Sequence, residues 1–434
     1  MIPAIGNIYS ILGNNNSLVP MAIKDIANSC GLTAGSYITG NKLEGKDRFI
    51  DEFGTQSIWL FGIPAYKKIL DLTLYKALKI DHKFDVRNLK ENRKTLLEKS
   101  IEYADSSIKE SMKTAAKNQK FTKNLAMAKF IVSTALTILS YWGLTKYRHN
   151  VTEKAAKKEI LAEMQSNENN NKFSNTKPQW QVDKKQPTFT GSIQEFMYNP
   201  VKNLMILDGA ITTERLAHSR NPQELMGYTI KEGTFWAFMY FASKPIQKFL
   251  ENRIDNNTKK PASIDLDARV IESKELEEAI KSDSLKKSVA KVLQADTPEK
   301  LLEYIHNNPD DFTVKMAKMS DVLPTLKEAN QADNIDYRKF IDLDEFKSVA
   351  EKLNKLNDKY EAFKELNIKD ISLEAFIKQV RKYKRSATLA NIGACIGVLG
   401  VLAPAIMVAV RKFGKENNAF QVKEDLKKKI QVNA

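Results

Sequence analysis

The feature that most constrains this chain is a run of 25 residues without a charged side chain, Ser386–Val410. A helix rises about 1.5 Å per residue, so the run would form a helix of about 37 Å, longer than the roughly 30 Å hydrocarbon core of a bilayer. Its leucine, isoleucine and valine side chains favour insertion. Arg385 and Arg411 close its two ends. We therefore predict a transmembrane helix at 386–410, with a buried core helix as the alternative.

A second apolar run lies in the first half of the chain. Phe130–Thr145 holds 16 uncharged residues. The run extends to 125–146 if the aliphatic stem of Lys129 lies in lipid while its ammonium reaches the interface. Tyrosine and tryptophan side chains cluster at the far end of the run, as they do at membrane–water interfaces. We predict a second span at 125–146.

Two shorter uncharged runs, 56–66 and 233–243, cannot cross a bilayer alone, because eleven helical residues reach only about 16 Å. The prediction is therefore two spans and up to four membrane-associated helices in an integral membrane protein. Similar numbers of basic residues flank the two ends of each span, so the orientation stays open. Abundant asparagine beside lysine is typical of AT-rich microbial genomes and suggests the membrane of a microbial cell.

Glycine usage indicates the fold class. No glycine occurs between Gly62 and Gly143, or between Gly233 and Gly393. Long helices exclude glycine because it costs about 1 kcal/mol relative to alanine. Between residues 264 and 385, apolar side chains recur about every four positions among balanced charges, which is typical of amphipathic helices. We predict an all-α protein in which these charged helices form a soluble subdomain.

The two short apolar runs also resemble each other. When Pro64 is aligned with Pro245, Lys67 aligns with Lys248, and each run follows a Glu and a Gly-Thr pair. The positions that define this possible internal repeat are Gly54, Thr55, Pro64, Lys67, Gly233, Thr234, Pro245 and Lys248. The alignment needs several gaps, so chance similarity is the alternative. A true duplication would give two parallel halves.

The predicted organisation has seven segments. In chain order they are an N-terminal repeat-like unit (1–85), charged helices with the first span (86–164), a polar linker (165–191), a second repeat-like unit (192–260), the soluble charged subdomain (261–385), the C-terminal span (386–410) and a basic amphipathic tail (411–434). In the tail, Val422, Leu426 and Ile430 recur every four residues between lysines. This pattern is typical of a helix lying on an anionic membrane surface.

The net charge of +15 at pH 7 does not indicate a nucleic-acid partner. Much of the excess charge flanks the apolar runs, and the chain has no basic stripe interleaved with stacking aromatics. Basic residues beside a span are attracted to anionic lipids. The predicted partners are therefore an anionic bilayer and an unidentified protein. The expected headgroup contacts are Lys129, Lys384, Arg385, Arg411 and Lys412.

The C-terminal run contains three closely spaced glycines, Gly393, Gly397 and Gly400. Small residues at such spacing let a second helix approach closely within a membrane. We predict that these glycines pack against a helix of the same chain or of another copy. Packing against another copy would give a homo-oligomer. Small residues in a lipid-facing helix are the alternative.

The sequence contains no recognisable catalytic, cofactor-binding or metal-binding motif. His82 lies between two aspartates without further ligands, and Glu214 with His218 would need partners from a facing helix. The sequence therefore favours a membrane-anchored scaffold or interaction protein rather than an enzyme. The first alternative is a small transport or permeation protein built from two repeated halves. The second is a membrane enzyme whose site is assembled from distant residues.

Overall fold

The computed structural model describes residues 18–39, 42–166, 193–219, 222–258, 264–326, 334–365 and 372–413. About 86 % of it is helical, and no strand occurs among the described residues. The all-α prediction is therefore confirmed. The predicted linker lies almost entirely outside the described residues, as do most of the basic tail and the side chains of Arg411 and Lys412.

The first part of the chain forms long helices with a short-helix insertion. These are α1 Val19–Thr39, α2 Lys42–Leu70, α3 Lys94–Tyr103, α4 Ser106–Lys117 and α5 Gln119–Ser166. A π-helical turn, Asp71–Tyr75, continues α2. Asp105 caps α4 by accepting a hydrogen bond from the Ser107 amide (2.8 Å), which satisfies one of the free amides of the first turn.

The second part begins with α6 Ile193–Tyr198, α7 Pro200–Ala217, α8 Pro222–Trp236 and α9 Ser243–Thr258. A π-helical turn, Ala237–Phe241, follows α8. Pro200 is the first residue of α7, where its fixed φ favours a helix and its missing amide costs nothing. The Asn199 side chain caps this helix by accepting from the Lys202 amide (3.0 Å).

The remaining helices are mostly short until the C-terminal pair. They are α10 Ala268–Glu272, α11 Lys274–Lys281, α12 Ser284–Gln294, α13 Pro298–Asn307, α14 Phe312–Met319, α15 Leu343–Glu365 and α16 Leu373–Gly397. A third π-helical turn, Val398–Leu402, joins α16 to α17 Ala403–Phe413.

The chain divides into two compact units. Unit 1 comprises Met1–Pro20, Ile69–Lys129 and Lys244–Asn391, and unit 2 comprises Met21–Lys68, Phe130–Ser243 and Ile392–Ala434. Each unit therefore draws on segments that are far apart in sequence.

Unit 1 has its own apolar core, built mainly by α11 to α16. The side chains of Leu276, Leu285, Val292, Ile305, Phe346 and Phe376 are all fully buried. Residues 69–129 are tied to the segment before α15 by polar contacts. Arg338 pairs with Asp81 (3.2 Å), and Arg93 donates to the Ile341 carbonyl (2.9 Å). The charged helices predicted at 261–385 thus share one unit with α3 and α4.

Two helical stretches are long and apolar enough to cross a membrane, Gln119–Ala162 and Leu373–Val410. They contain the two segments, 125–146 and 386–410, that the sequence predicts to span a membrane. Only 33 % of the most apolar window of each stretch is buried. Large apolar side chains such as Ile131 and Val401 are exposed instead, Val401 by 68 %. Length and outward apolar faces both fit a membrane location.

A buried ion-pair cluster as the candidate functional site

α2 and α8 each carry a row of buried side chains on one face, and all of these side chains except Phe235 are polar or charged. The residues of each row recur at intervals of three or four, so they share one side of their helix. The two rows also have the same spacing, residue for residue. They are Glu44, Arg48, Asp51, Glu52 and Thr55 in α2, and Glu224, Tyr228, Lys231, Glu232 and Phe235 in α8. Every one of these side chains is buried.

Asp51 lies at the centre of the cluster. Its carboxylate pairs with Arg148 Nη1 of α5 (3.0 Å) and with Arg215 Nη2 of α7 (3.3 Å), and it accepts a hydrogen bond from Tyr228 Oη (3.2 Å). Burial by itself raises the pKa of this carboxyl. The surrounding cations, led by Arg215 and Arg148, outweigh burial and hold the pKa well below its usual range. Asp51 is therefore ionised and joins three other helices to α2.

Two further carboxylates are paired across the same helices. Glu52 Oε2 lies 2.8 Å from Lys231 Nζ, and Glu232 Oε1 lies 2.7 Å from Arg215 Nη1. Thr212 also donates to Glu232 (2.9 Å). Burial raises the pKa of Glu232, but Arg215 and Lys231 lower it below the usual value. The cluster is thus a continuous network of charges shared by α2, α5, α7 and α8.

Holding helices together with such a network carries a large desolvation cost. Transferring each ion out of water costs several kcal/mol, and apolar side chains of similar volume are often as stabilising as a buried ion pair. Perturbed ionisable groups concentrated in a protein interior are therefore candidates for a functional role.

A cavity of about 20 Å³ lies beside the network, within unit 2. It is lined by four carboxyl side chains, two cations, Thr55, Gln56 and apolar or aromatic side chains. The carboxyls are Asp25, Glu52, Asp208 and Glu232, and the cations are Arg215 and Lys231. If every group were ionised, the lining would carry two more negative than positive charges.

Asp25 and Asp208 differ from the paired carboxylates. Both belong to helices outside the two candidate spans, α1 and α7. Burial raises the pKa of Asp25 to about 7, with Lys231 opposing and Glu52 adding to the rise. Burial also raises the pKa of Asp208 to about 8, although the Tyr240 hydroxyl donates a hydrogen bond to it. These two carboxyls can therefore change their protonation state near neutral pH.

The positions of the possible repeat fall in different surroundings. Thr55 belongs to the cluster, because its hydroxyl accepts from Arg215 Nη2 (3.1 Å). Gly54 packs on Leu144 of α5, and a Cβ there would lie 2.7 Å from Cδ2 of that leucine. Pro64 lies well inside α2, whereas Pro245 lies in the first turn of α9. Aligning the two prolines therefore does not align equivalent positions of the helices.

The remaining repeat positions are less constrained. A Cβ added at Gly233 would meet nothing within 4 Å. Thr234 donates to the Ile230 carbonyl of its own helix (2.8 Å). Lys67 Nζ lies 5.8 Å from the centre of the Phe130 ring, and Lys248 is exposed.

The three glycines of the C-terminal run separate into two kinds. A Cβ on Gly393 or Gly397 would meet nothing within 4 Å, and both residues are exposed. Gly400 instead lies against α1, where a Cβ would come 3.0 Å from the Ala27 carbonyl oxygen. Close approach within unit 2 thus occurs at Gly400, while Gly393 and Gly397 present a small-residue surface.

Three of the five predicted headgroup contacts form ion pairs within unit 1. Lys129 pairs with Asp71, and Arg385 pairs with Glu272. Lys384 is buried and lies 2.6 Å from Glu251. These partners lie far away in sequence, so a sequence pattern could not reveal them.

No group of three or more His, Cys, Asp or Glu side chains within the described ranges is placed to hold a metal ion. Glu214 is buried, but His218, at 3.8 Å, points to the surface. Asp81 pairs with Arg338. The sequence interpretation missed the cluster around Asp51. The pattern that could have revealed it is the identical spacing of the ionisable residues in α2 and α8.

No protein-family model, curated protein or solved structure matches this chain. The interpretation of the cluster accordingly rests on its geometry and electrostatics.

Proposed function

We propose that this protein carries protons across a membrane and that the ion-pair cluster of unit 2 is its charge-handling site. The observation that carries the proposal is the distribution of side chains in unit 2. Its ionisable groups face inward around Asp51, whereas apolar side chains such as Leu139 and Val401 are exposed. Ionisable groups packed among membrane helices typically face the bundle interior and mark ion or proton pathways.

The matching rows of α2 and α8 support a construction from two repeated halves. Each row follows a helix that begins at or beside a proline, Pro20 or Pro200. A π-helical turn follows each row, but the two turns do not occupy equivalent positions. This register keeps Glu52 equivalent to Glu232 but does not pair Pro64 with Pro245. Many transporters place their binding site where two repeats meet, on interrupted helices, and π-helical turns are frequent at functional sites.

Proton flux into liposomes tests the proposal. The full chain would be reconstituted into vesicles that hold a pH-sensitive dye, and a potassium gradient with valinomycin would supply the driving voltage. We expect the lumen to acidify faster than in protein-free vesicles. Glu52→Gln should slow this flux, because it removes the partner of Lys231 (2.8 Å). Glu275→Gln, an exposed change in unit 1, is the matched control and should leave the flux unchanged.

The proposal fails if carbonate-resistant, correctly inserted protein gives no more flux than protein-free vesicles. It also fails if the Glu52 and Glu275 variants behave alike. Size-exclusion chromatography of each variant before reconstitution separates loss of flux from loss of folding.

A scaffold role is the second candidate, and unit 1 is the feature that favours it. Its helices bury a core of their own around Phe346 and Phe376, and their outer faces are charged, which suits a docking platform. Photo-crosslinking from exposed positions of unit 1, such as Lys287 and Glu351, tests this role in cells. One reproducible partner band supports a scaffold, whereas an absence of bands together with measurable proton flux argues against it.

A further inference from the structure

Two carboxyl groups that line the cavity beside the cluster, Asp25 and Asp208, form no ion pair among the described residues. Asp208 of α7 is 5 % exposed, whereas Asp25 of α1 is partly exposed. Both line the same cavity of about 20 Å³. Asp208 is thus the more shielded of the two residues.

The cations of the cavity are engaged elsewhere. Arg215 pairs with Asp51 and Glu232, and Lys231 pairs with Glu52. No ion pair to Asp208 occurs among the described residues, and its hydrogen bond comes from the neutral Tyr240 hydroxyl. A buried carboxylate without a cation is costly, so a proton is the simplest way to neutralise this group.

A second side chain indicates what else the cavity holds. Gln56 lines the cavity and is 7 % exposed, and its Nε2 atom has no hydrogen-bond partner. A buried amide donor of this kind normally finds an acceptor. The cavity volume matches the roughly 10–15 Å³ that one water needs. A single water accepting from Gln56 could therefore connect the two aspartates.

We infer that Asp25 and Asp208 form a proton-binding site, in which the buried Asp208 stores a proton and the partly exposed Asp25 exchanges it. In the exchange, the Asp208 carboxylic acid gives its proton to the cavity water as that water passes one of its own protons to the Asp25 carboxylate. Asp208 is left as a carboxylate and Asp25 becomes a neutral acid. No bond other than O–H bonds forms or breaks.

The electrostatic surroundings are consistent with this assignment. Asp25 faces Glu52 from α2, Arg215 from α7, and Lys231 and Glu232 from α8. Asp208 faces Tyr240, Trp59, Asp25 and Glu232. Burial dominates at both sites and raises the pKa of Asp25 to about 7 and that of Asp208 to about 8. The Asp25 carboxylate also raises the pKa of Asp208.

The inference rests on the proposed function and deepens it, because it names the carboxyl groups that bind the transported proton, but proton binding can be measured without flux. The folded-state pKa values lie above the unfolded value near 3.8. Stability from this site is therefore complete below the unfolded pKa and is lost as the pH rises through the folded pKa values. Between the unfolded and the folded pKa values, the folding constant falls about tenfold per pH unit for each carboxyl that is neutral in the folded state.

The test is thermal unfolding of the full chain in detergent from about pH 5 to about pH 9, a window that brackets the two folded pKa values. In the unsubstituted protein the midpoint should fall as the pH rises. In Asp208→Asn the fall should be smaller, and at alkaline pH this variant should be more stable than the unsubstituted protein. Asp310→Asn is the control, because that side chain is 90 % exposed, and its curve should follow the unsubstituted one.

Infrared difference spectra of the unsubstituted protein, labelled with isotopic aspartate, keep the test decisive if Asp208→Asn does not fold. A protonated aspartic acid band that disappears between neutral and alkaline pH supports the site, and its absence overturns it. An Asp208→Asn curve parallel to the unsubstituted curve also overturns it. Intact proton binding without flux into liposomes would instead contradict only the transport proposal.

Discussion

Individual glycines of unit 2 lie in contrasting surroundings. Gly31 of α1 packs directly on the backbone of Gly400, and a Cβ at Gly31 would overlap the carbonyl oxygen there. Gly393, only seven positions before Gly400, meets nothing within 4 Å. Residue type and spacing are similar, so only the neighbouring helix distinguishes a glycine required for close approach from one that is not.

This contrast predicts opposite effects of the same substitution. Gly31→Ala should destabilise the protein by about 1–3 kcal/mol, because α1 and the third π-helical turn must move apart. Gly393→Ala should be neutral or stabilise by up to about 1 kcal/mol, because alanine is the better helix former. Thermal unfolding of both variants in one detergent measures this. Equal shifts of the two midpoints would contradict the close packing at Gly31.

Lys384 differs from its neighbour Lys382 in a similar way. Lys384 is buried and paired with Glu251 (2.6 Å), whereas Lys382 is exposed. Lys384→Gln should cost roughly 3–5 kcal/mol, because it leaves Glu251 nearly buried without its cation. Lys382→Gln should change stability by less than about 0.5 kcal/mol. Chemical denaturation of the two variants gives the comparison, and a Lys384 variant as stable as its control would show that the pair contributes nothing.

At the scale of helices, the prediction that the structure confirms is the all-α fold class. The amphipathic spacing between 264 and 385 predicts helices, and α11 to α15 form there. The π-helical turns are a different case. They lie in runs such as Val398–Leu402, whose sequences predict ordinary α-helix. No residue in them indicates the i→i+5 hydrogen bonds of a π-helix. Pro64 is exposed and lies inside α2, which continues past it to Leu70.

The C-terminal span can be tested as an element in lipid. Val401 is 68 % exposed near the middle of the apolar run. Val401→Arg would therefore place a cation against acyl chains, which costs about 2.5–3.5 kcal/mol of insertion free energy. Ser386→Arg introduces the same side chain at the end of the run, where it can reach headgroups. We expect carbonate extraction to remove more of the Val401 variant than of the Ser386 variant. If both resist equally, Val401 does not face lipid.

At the scale of the molecule, the cluster depends on helices that are distant in sequence. Glu52 and Lys231 pair at 2.8 Å across α2 and α8. Glu52→Gln and Lys231→Met should each destabilise strongly, because each leaves a buried charge behind. Their combined effect should fall short of the sum by about 0.5–3 kcal/mol. A double-mutant cycle by denaturant unfolding measures this coupling, and strict additivity would show that the pair is not formed.

Ion pairs between distant segments also change how single basic residues are interpreted. Lysines and arginines that flank an apolar run suggest headgroup contacts by their position alone. Once the helices pack, Lys129 faces Asp71 and Arg385 faces Glu272. Each of these two cations therefore has an anionic partner within unit 1.

The sequence by itself determined the fold class, the two stretches long and apolar enough to cross a membrane, and the amphipathic character of the charged helices. These properties follow from spacing along one helix, which neighbouring residues define. Only the tertiary structure decided that Asp51 meets Arg148 and Arg215, and that Asp25 and Asp208 share a cavity. The physical reason is that a charge acquires its partner, its burial and its pKa from other helices. A periodic pattern shows which face of a helix is polar, but the packing of the helices decides what that face contacts.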